Sequence, residues 1–137
     1  RDCYVTDKPN ETFESNSSNG VLFEHSNFTF SKENMIKCLP GPVPMWRRRM
    51  HEICGLFDTV NCNYADDWEM WLRAVRAGAK FKKVEKPIGL YLSGGRSQQN
   101  DPKQRREEAL IFYKYSETFG ENFQKFKPYF DQFLENR

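Results

Sequence analysis

The chain has 137 residues, of which 38% are hydrophobic and 15% aromatic, and its 21 basic and 19 acidic side chains leave a net charge of +2. This length allows one domain with a real core, and the near-neutral charge argues against a dedicated nucleic-acid binder, which usually carries a stronger basic bias. The sequence has neither an apolar run long enough to span a bilayer nor a signal-peptide pattern, which favours a cytoplasmic location, either free or at the inner face of a membrane.

The first third of the chain predicts short elements joined by polar loops. Cys3 to Thr6 is typical of the end of a strand, and the Asn- and Ser-rich stretch from Asp7 to Gly20 predicts a loop. Val21-Leu22-Phe23 predicts a second short strand. Ser31 is placed to cap a short helix that runs through Lys37. The prolines that follow, at positions 40, 42 and 44, stop regular structure because proline lacks an amide donor.

Two helices are predicted in the middle of the chain. The first runs from about Met45 to Ile53, with Gly55 placed to terminate it. The second and clearer helix begins at Asp66-Asp67 and ends at Gly78. Its apolar residues recur at helical spacing and form one stripe: Trp68, Trp71, Leu72 and Val75.

The last part of the chain predicts two strands and then helices. Lys80 to Val84 and Ile88 to Leu92 are the strand candidates, and Ser93 to Ser97 is a flexible Gly-rich loop. Pro102 opens a helix, and a second C-terminal helix begins near Glu121. We therefore expect an α/β fold with a mixed sheet and flanking helices, in a single domain of residues 1–137 whose positions 102–137 form a helical extension.

The four cysteines form no C-x-x-C pair, so their spacing resembles neither a zinc site nor a small disulfide scaffold. We expect reduced, structural thiols. Three N-glycosylation triplets, at Asn10, Asn16 and Asn27, carry little weight because an Asn- and Ser-rich loop produces them by chance.

Asp66-Asp67-Trp68-Glu69 places two adjacent carboxylates at a helix N-terminus and a third within the first turn. Two interpretations stay open from these residues alone. Carboxylates at this place often serve only to satisfy free amides and the helix dipole. The same geometry also holds an ionised carboxylate rigidly enough to accept a proton from a substrate.

Several motifs in order resemble family-2 glycosyltransferases of the GT-A fold. Gly55-Leu56-Phe57-Asp58 matches their "G-x-FD" phrase, and the segment from Ala65 to Arg73 matches the "ED-W-E-x-W-L-R" helix that follows it. The segment from Pro40 to Arg47 resembles the one before that phrase. Gly89-Leu90-Tyr91, followed by a Gly/Ser loop, resembles the next strand and its exit. The resemblance covers about residues 2 to 101 and implies a partial GT-A-like mixed sheet.

The resemblance implies an enzyme that moves a sugar from a nucleotide donor to an acceptor hydroxyl with inversion, as in cell-surface polysaccharide biosynthesis. In the family motif the second acidic residue is the base that deprotonates the acceptor, and Asp67 occupies that position. Asp66 replaces the more usual Glu, which leaves its role open. We therefore expect Asp67→Asn to remove transfer and to leave the fold intact.

Five further residues are candidates for contacting acceptor or donor. Trp46 and Trp71 can stack on sugar rings, although the helical stripe favours core packing for Trp71. Arg47 can meet a phosphate or an anionic acceptor, but the run of arginines that it opens is usually a solvated face. Arg96 and Ser97 lie on the Gly-rich loop and can contact a leaving diphosphate, with a plain surface turn as the alternative.

A divalent metal, Mn²⁺ or Mg²⁺, is expected for the full enzyme, with its ligands mostly outside this chain. The sequence contains no Asp-x-Asp pair and no phosphate-cradling Gly loop, and its last histidine is His51. We therefore expect Arg1 to lie shortly downstream of the nucleotide-binding half in a longer protein, and the chain alone to be inactive. Apolar surface that this half would cover can lead the chain to form a homodimer.

Two other classes of function compete with this interpretation. One is a non-catalytic carbohydrate-binding or interaction module with the same fold, which would not need Asp67 ionised. The other is a nucleic-acid module built on the basic segments at 46–49 and 103–106, which the net charge of +2 disfavours.

Overall fold

The computed structural model describes residues 3–16, 21–23 (backbone only), 30–37, 43–84 and 86–134. The fold is mixed α/β. Its strands are β1 (Cys3–Thr6), β2 (Val21–Phe23) and β3 (Leu90–Leu92). Its helices are α1 (Phe13–Asn16), α2 (Arg49–Cys54), α3 (Asp66–Arg76), α4 (Pro102–Phe119), α5 (Glu121–Gln124) and α6 (Lys127–Asp131). Two 3₁₀ helices cover Glu33–Lys37 and Arg96–Gln98.

The sheet is small and has the strand order β2-β1-β3. β1 pairs antiparallel with β2, with Tyr4 opposite Leu22. It pairs parallel with β3, with Tyr4 opposite Leu90. Parallel neighbours need a long crossover connection, and the residues that hold α2 and α3 supply it. The sheet therefore places α3 inside the connection between its two parallel strands.

The core lies between α3 and the C-terminal helices and is mostly aromatic. Phe112 of α4 stacks on Phe123 of α5 and on Phe130 of α6, with ring centroids 5.2 Å and 4.4 Å apart. Trp68 of α3 faces Phe130 at 6.1 Å. Such ring pairs add about 0.5–1.5 kcal/mol each to the area that they bury. They pack the three C-terminal helices against α3.

A buried carboxylate connects the same helices. The side chain of Glu69 on α3 is 1% exposed and accepts from the hydroxyl of Tyr115 at 2.6 Å and from the ammonium of Lys114 at 2.8 Å. Arg73, one turn along α3, donates to it from Nη2 at 2.8 Å. Burial alone would raise the pKa of Glu69, but these hydrogen bonds outweigh it and hold the pKa below its ordinary value.

Arg73 extends this network to the segment between α2 and α3. Its guanidinium donates to the carbonyl oxygen of Cys54 and, at 2.8 Å, to that of Leu56. These carbonyls lie at and just after the end of α2, where Gly55 takes a positive φ of 82°. One arginine thus fastens α2 to α3 and satisfies backbone oxygens where α2 ends.

The predicted elements are found for most of the chain. The strands at Cys3–Thr6 and Val21–Phe23 have the predicted bounds, and α3 ends before Gly78, whose φ is 88°. The second predicted C-terminal strand is shorter and covers Leu90–Leu92. Predicted positions 17–20, 38 and 40–42 lie outside the described residues.

Four predicted elements differ from the observed ones. The segment from Lys80 to Val84 forms no strand. Its Phe81 packs instead against Phe30, with ring centroids 4.5 Å apart, and against Trp71 of α3 at 6.2 Å. The second C-terminal helix divides into α5 and α6, since Pro128 in the first turn of α6 cannot donate inside a continuous helix.

The other two differences lie nearer the N-terminus. The loop predicted from Asp7 to Gly20 contains the short helix α1, whose start is held by reciprocal bonds between Thr12 and Ser15, each amide donating to the other's hydroxyl at 3.2 Å. The helix predicted from Met45 begins only at Arg49. The residues just before it form no regular structure, and Trp46 among them packs against Trp71.

Glu69→Gln is expected to lower the free energy of unfolding at pH 7 by about 3 kcal/mol. This is the lower end of the range for breaking a buried ion pair, because the cationic partners of Glu69 are themselves partly exposed to water. Because the pKa of Glu69 is lowered in the folded protein, its ionisation stabilises the fold at pH values above the ordinary pKa of a glutamate. This stabilisation is lost as the pH falls through the lower pKa of the folded state. The penalty of the substitution should therefore shrink in acid. Urea unfolding followed by circular dichroism at several pH values measures it.

The exposed Glu117 of α4 supplies the matched control. Glu117→Gln should change the free energy of unfolding by less than about 0.5 kcal/mol at any of these pH values. Equal effects of the two substitutions would show that the Glu69 network does not hold α3 and α4 together.

Candidate active site

Asp67 lies in the first turn of α3, and the turn before it is held from α4. The carboxylate of Glu107 accepts the backbone amides of Asn63, Tyr64 and Ala65 at 2.7, 2.8 and 2.8 Å. These donors lie just before α3 begins, where amides have no partner within the helix. Glu107 therefore fixes the direction in which α3 starts, and with it the position of Asp67.

The side chain of Asp67 is exposed, and its Oδ1 accepts the amide of Trp68 at 2.7 Å. It lies in an open depression of about 380 Å³ between the 3₁₀ helix Glu33–Lys37, α3, α4 and α6. Tyr64, Arg105 and Tyr129 are among the residues that line this depression. A carboxylate, two phenol rings and a guanidinium thus face one space large enough for a small ligand.

The surroundings of Asp67 raise the pKa of its carboxyl group. Partial desolvation by the walls of the depression is the largest cause, and the charges of Asp66 and Glu108 add to it, against the amide of Trp68, which lowers it. A raised pKa brings a carboxylate closer to the value that suits a general base near neutral pH. The arrangement can accept a proton from a hydroxyl group placed in the depression.

The Gly-rich loop reaches the same side of the molecule. The guanidinium of Arg96 stacks on the ring of Tyr64, with 3.9 Å from Cζ to the ring centroid. The loop bends at Gly94, whose φ is 82° and whose amide donates to the side chain of Gln98 at 2.6 Å. Ser97 lies in the 3₁₀ turn that follows. Of the predicted binding residues, Arg96 is brought next to a wall of the Asp67 depression.

The predicted residues Trp46, Arg47 and Trp71 lie elsewhere. They line a second cavity, of about 510 Å³, whose lining does not include Asp67. Trp46 and Trp71 meet edge to face with ring centroids 5.2 Å apart. Trp71 is 2% exposed, as its place in the apolar stripe favours, and Trp46 is 41% exposed. The structure therefore separates the predicted site residues into two groups.

The histidine near this cavity is part of the packing. His51 accepts from the indole of Trp46 at 2.9 Å through Nε2, and its Nδ1 lies 3.0 Å from the carbonyl oxygen of Gly55. Across the described ranges, no group of three or more His, Cys, Asp or Glu side chains is placed to hold a metal ion. The divalent metal that the resemblance implies has no ligand set in that part of the chain.

Sequence reasoning missed Glu107, Tyr64, Arg105 and Tyr129. Glu107 acts on amides that lie 42 to 44 residues away along the chain, so no local pattern announces it. Sequence reasoning also placed Glu69 only as a third acid of the helix start. The one available signal was its position two residues after Asp67, which turns its side chain towards the apolar stripe.

The cysteines described are free thiols, with Cys3 and Cys62 buried. Burial, together with the charge of Glu107, raises the pKa of Cys62 to about 11. A thiol with that pKa stays protonated near neutral pH and does not serve as a nucleophile. Of the two carboxylates among the described residues that line the depression, Glu108 is paired with Arg105, so Asp67 is the candidate base.

Within the described residues, no helix is both long and apolar enough to cross a bilayer. Comparisons of the chain with protein-family models, with curated proteins and with solved structures find no significant match. The functional argument therefore rests on the geometry of these residues.

Asp67→Asn is expected to raise the melting temperature at pH 7, because it removes a carboxylate whose ionised form is disfavoured in the fold. A raised folded-state pKa costs stability above that pKa and nothing below the ordinary pKa of an aspartate, about 3.9. The gain should therefore disappear near pH 3. Thermal unfolding between pH 3 and pH 7 measures this gain, and Glu69→Gln, which should lower the melting temperature at pH 7, serves as the comparison. A lower melting temperature of Asp67→Asn at pH 7 would contradict the prediction.

Proposed function

We propose that the chain is the acceptor-side part of an inverting glycosyltransferase of the GT-A type, with Asp67 as the general base. The observation that carries the proposal is a carboxylate that is fixed at a helix N-terminus, exposed to an open depression and raised in pKa. The parallel pairing of β1 with β3, with α3 in the crossover between them, is compatible with a part of such a sheet. The resemblance of the motifs to family 2 supports the same assignment.

In the proposed reaction, an acceptor hydroxyl binds in the depression and gives its proton to a carboxylate oxygen of Asp67. The acceptor oxygen forms a bond to the anomeric carbon of the donor sugar from the face opposite the leaving group. The bond from that carbon to the diphosphate oxygen breaks, and its electron pair stays on the diphosphate. The configuration at the anomeric carbon is thereby inverted. No step is assigned to a metal.

Other groups of the depression suit a sugar acceptor. Tyr64 and Tyr129 provide aromatic surface on which a pyranose ring can pack, and the guanidinium of Arg105 can donate to hydroxyl oxygens. Arg105 is held by Glu108 at 2.9 Å, which limits its freedom. Preorganised groups of this kind reduce the entropy lost when the acceptor is positioned.

Arg96 is placed to contact the leaving diphosphate in this proposal, since its contact with Tyr64 holds it beside the depression. The donor nucleotide and the divalent metal would be bound by residues outside this chain. Trp46, Arg47 and Trp71, which line the separate cavity, are not assigned a part in the proton transfer.

Asp67→Asn is expected to lower sugar transfer at least about 100-fold, the effect of losing a positioned general base. Transfer is measured with the natural polypeptide at its full length, with UDP-, GDP- and dTDP-sugars, Mn²⁺ and a panel of glycoside acceptors. The asparagine keeps the helix-end acceptor for the amide of Trp68, so circular dichroism should be unchanged. Thermal stabilisation by the donor should also remain.

Asp101→Asn is the matched control, because Asp101 also lies at a helix N-terminus, where it caps α4, but does not line the depression. Its transfer rate should stay within about twofold of the natural protein's. Full activity of Asp67→Asn would overturn the proposal. Acceptor binding in the natural protein without any transfer would favour a non-catalytic carbohydrate-binding module instead.

A further inference from the structure

The second cavity has a chemistry of its own. It lies between the segment that leads into α2, the C-terminal half of α3 and the residues after Gly78, which form neither helix nor strand. Aromatic walls come from Trp46, Trp71 and Phe81, and aliphatic side chains such as Ile53 and Ile88 complete them. Its volume of about 510 Å³ falls in the range of pockets that bind small organic molecules.

The described residues that line this cavity include no carboxylate, amide or hydroxyl side chain. The thiol of Cys54 already donates to the carbonyl oxygen of Met50 at 3.0 Å. A sugar or a nucleobase needs several fixed donors and acceptors to be recognised, and these walls provide almost none. The interior therefore suits a hydrocarbon group.

Four cations surround the apolar interior: Arg47, Arg49, Lys80 and Lys82, all with exposed side chains. None of them forms an ion pair with a carboxylate in the part of the chain that the structure describes. The whole chain carries a net charge of only +2, so the described lining of this cavity holds a local concentration of positive charge. A bound anion would supply the missing countercharge.

The indole of Trp71 gives a second, independent observation. Among the three tryptophans, Trp68 donates to the carbonyl oxygen of Met35 at 2.7 Å and Trp46 donates to His51 at 2.9 Å. The N–H of Trp71, in the cavity wall, is buried and has no acceptor among the described residues. A buried donor without a partner costs about 1–3 kcal/mol. Because the N–H is itself covered, a ligand oxygen would remove this cost only by displacing part of the wall of the cavity.

We propose that this cavity binds an amphipathic anion, a single hydrocarbon chain with one phosphate or carboxylate head. The chain lies against Trp46, Trp71 and Phe81, and the head lies among the four cations. The cavity does not contain Asp67, so the proposal stands on the lining of the cavity and not on glycosyl transfer. Desolvation of the hydrocarbon drives binding, and the cations select for the anionic head.

Dodecyl phosphate, titrated below its micellar concentration, is the probe. It should bind with saturation at one site and change the fluorescence of Trp46 and Trp71. Dodecyl maltoside carries the same chain on a neutral head and should bind at least about fivefold more weakly, the effect of losing one charge contact. Inorganic phosphate lacks the hydrocarbon and should not bind. Equal affinity for the two dodecyl compounds would overturn the selection for an anion.

Substitutions at the rim test the location. Arg47→Gln and Lys80→Gln should each weaken binding of dodecyl phosphate about fivefold. Arg48→Gln is the matched control, since Arg48 is exposed beside Arg47 but does not line the cavity, and it should bind like the natural protein. Ala77→Trp, at an exposed position of the wall, should abolish binding by filling the cavity while thermal unfolding shows an intact fold.

Two further measurements distinguish binding in this cavity from binding to a membrane surface and from binding at the Asp67 depression. Vesicles with an anionic phospholipid that bind the protein while monomeric dodecyl phosphate does not would overturn the cavity site and indicate a membrane-facing patch. Asp67→Asn should bind dodecyl phosphate unchanged even though sugar transfer is lost. The two proposals can therefore fail separately.

Discussion

A carboxylate that is almost completely removed from water must be matched by donors, and Glu69 takes its donors from two helices. Arg73 comes from its own helix, and Lys114 and Tyr115 come from α4. Because an unmatched charge there would cost several kcal/mol, α3 and α4 can pack in only one register. The aromatic core alone would allow α3 to shift along α4, since stacked rings fix the position of their partners less specifically than charged hydrogen bonds do.

This constraint positions both ends of α3. Towards its N-terminus, Glu107 on α4 holds the preceding turn by three amides, so Asp67 opens into a depression of defined shape. Towards its C-terminus, the carbonyls that Arg73 binds keep α2 against α3 and so keep Trp46 on Trp71. The depression and the cavity are therefore two consequences of one anchored helix.

Residues at the ends of helices predicted those features of the fold that depend only on neighbours in the sequence. The acids at the start of α3, the glycine after it and Pro102 at the start of α4 placed these helices correctly. The strand predicted from Lys80 to Val84 was wrong, because this segment packs Phe81 on Phe30 and Trp71 and pairs with no strand, an outcome that alternation in the sequence does not distinguish from pairing. Asp67 was predicted from its place at a helix N-terminus together with the motif resemblance. The division of the predicted binding residues between two cavities arises from tertiary packing, which hydrophobic periodicity does not report.

The two cavities differ in the charged side chains that line them. The depression has Asp67 and Glu108 beside Lys37 and Arg105, whereas the described charged residues that line the apolar cavity are all cations. The ends of α3 also differ, because its first turn carries Asp66 and Asp67 and its last turn carries Arg73 and Arg76, each matched to the end of the helix dipole. An anionic group near Asp67 would meet the same carboxylates, Asp66 and Glu108, that already raise the pKa of Asp67. The acceptor for the proposed transfer should therefore be neutral, and the anionic amphiphile should bind at the far end of α3, where the described charged residues that line the apolar cavity are all cations.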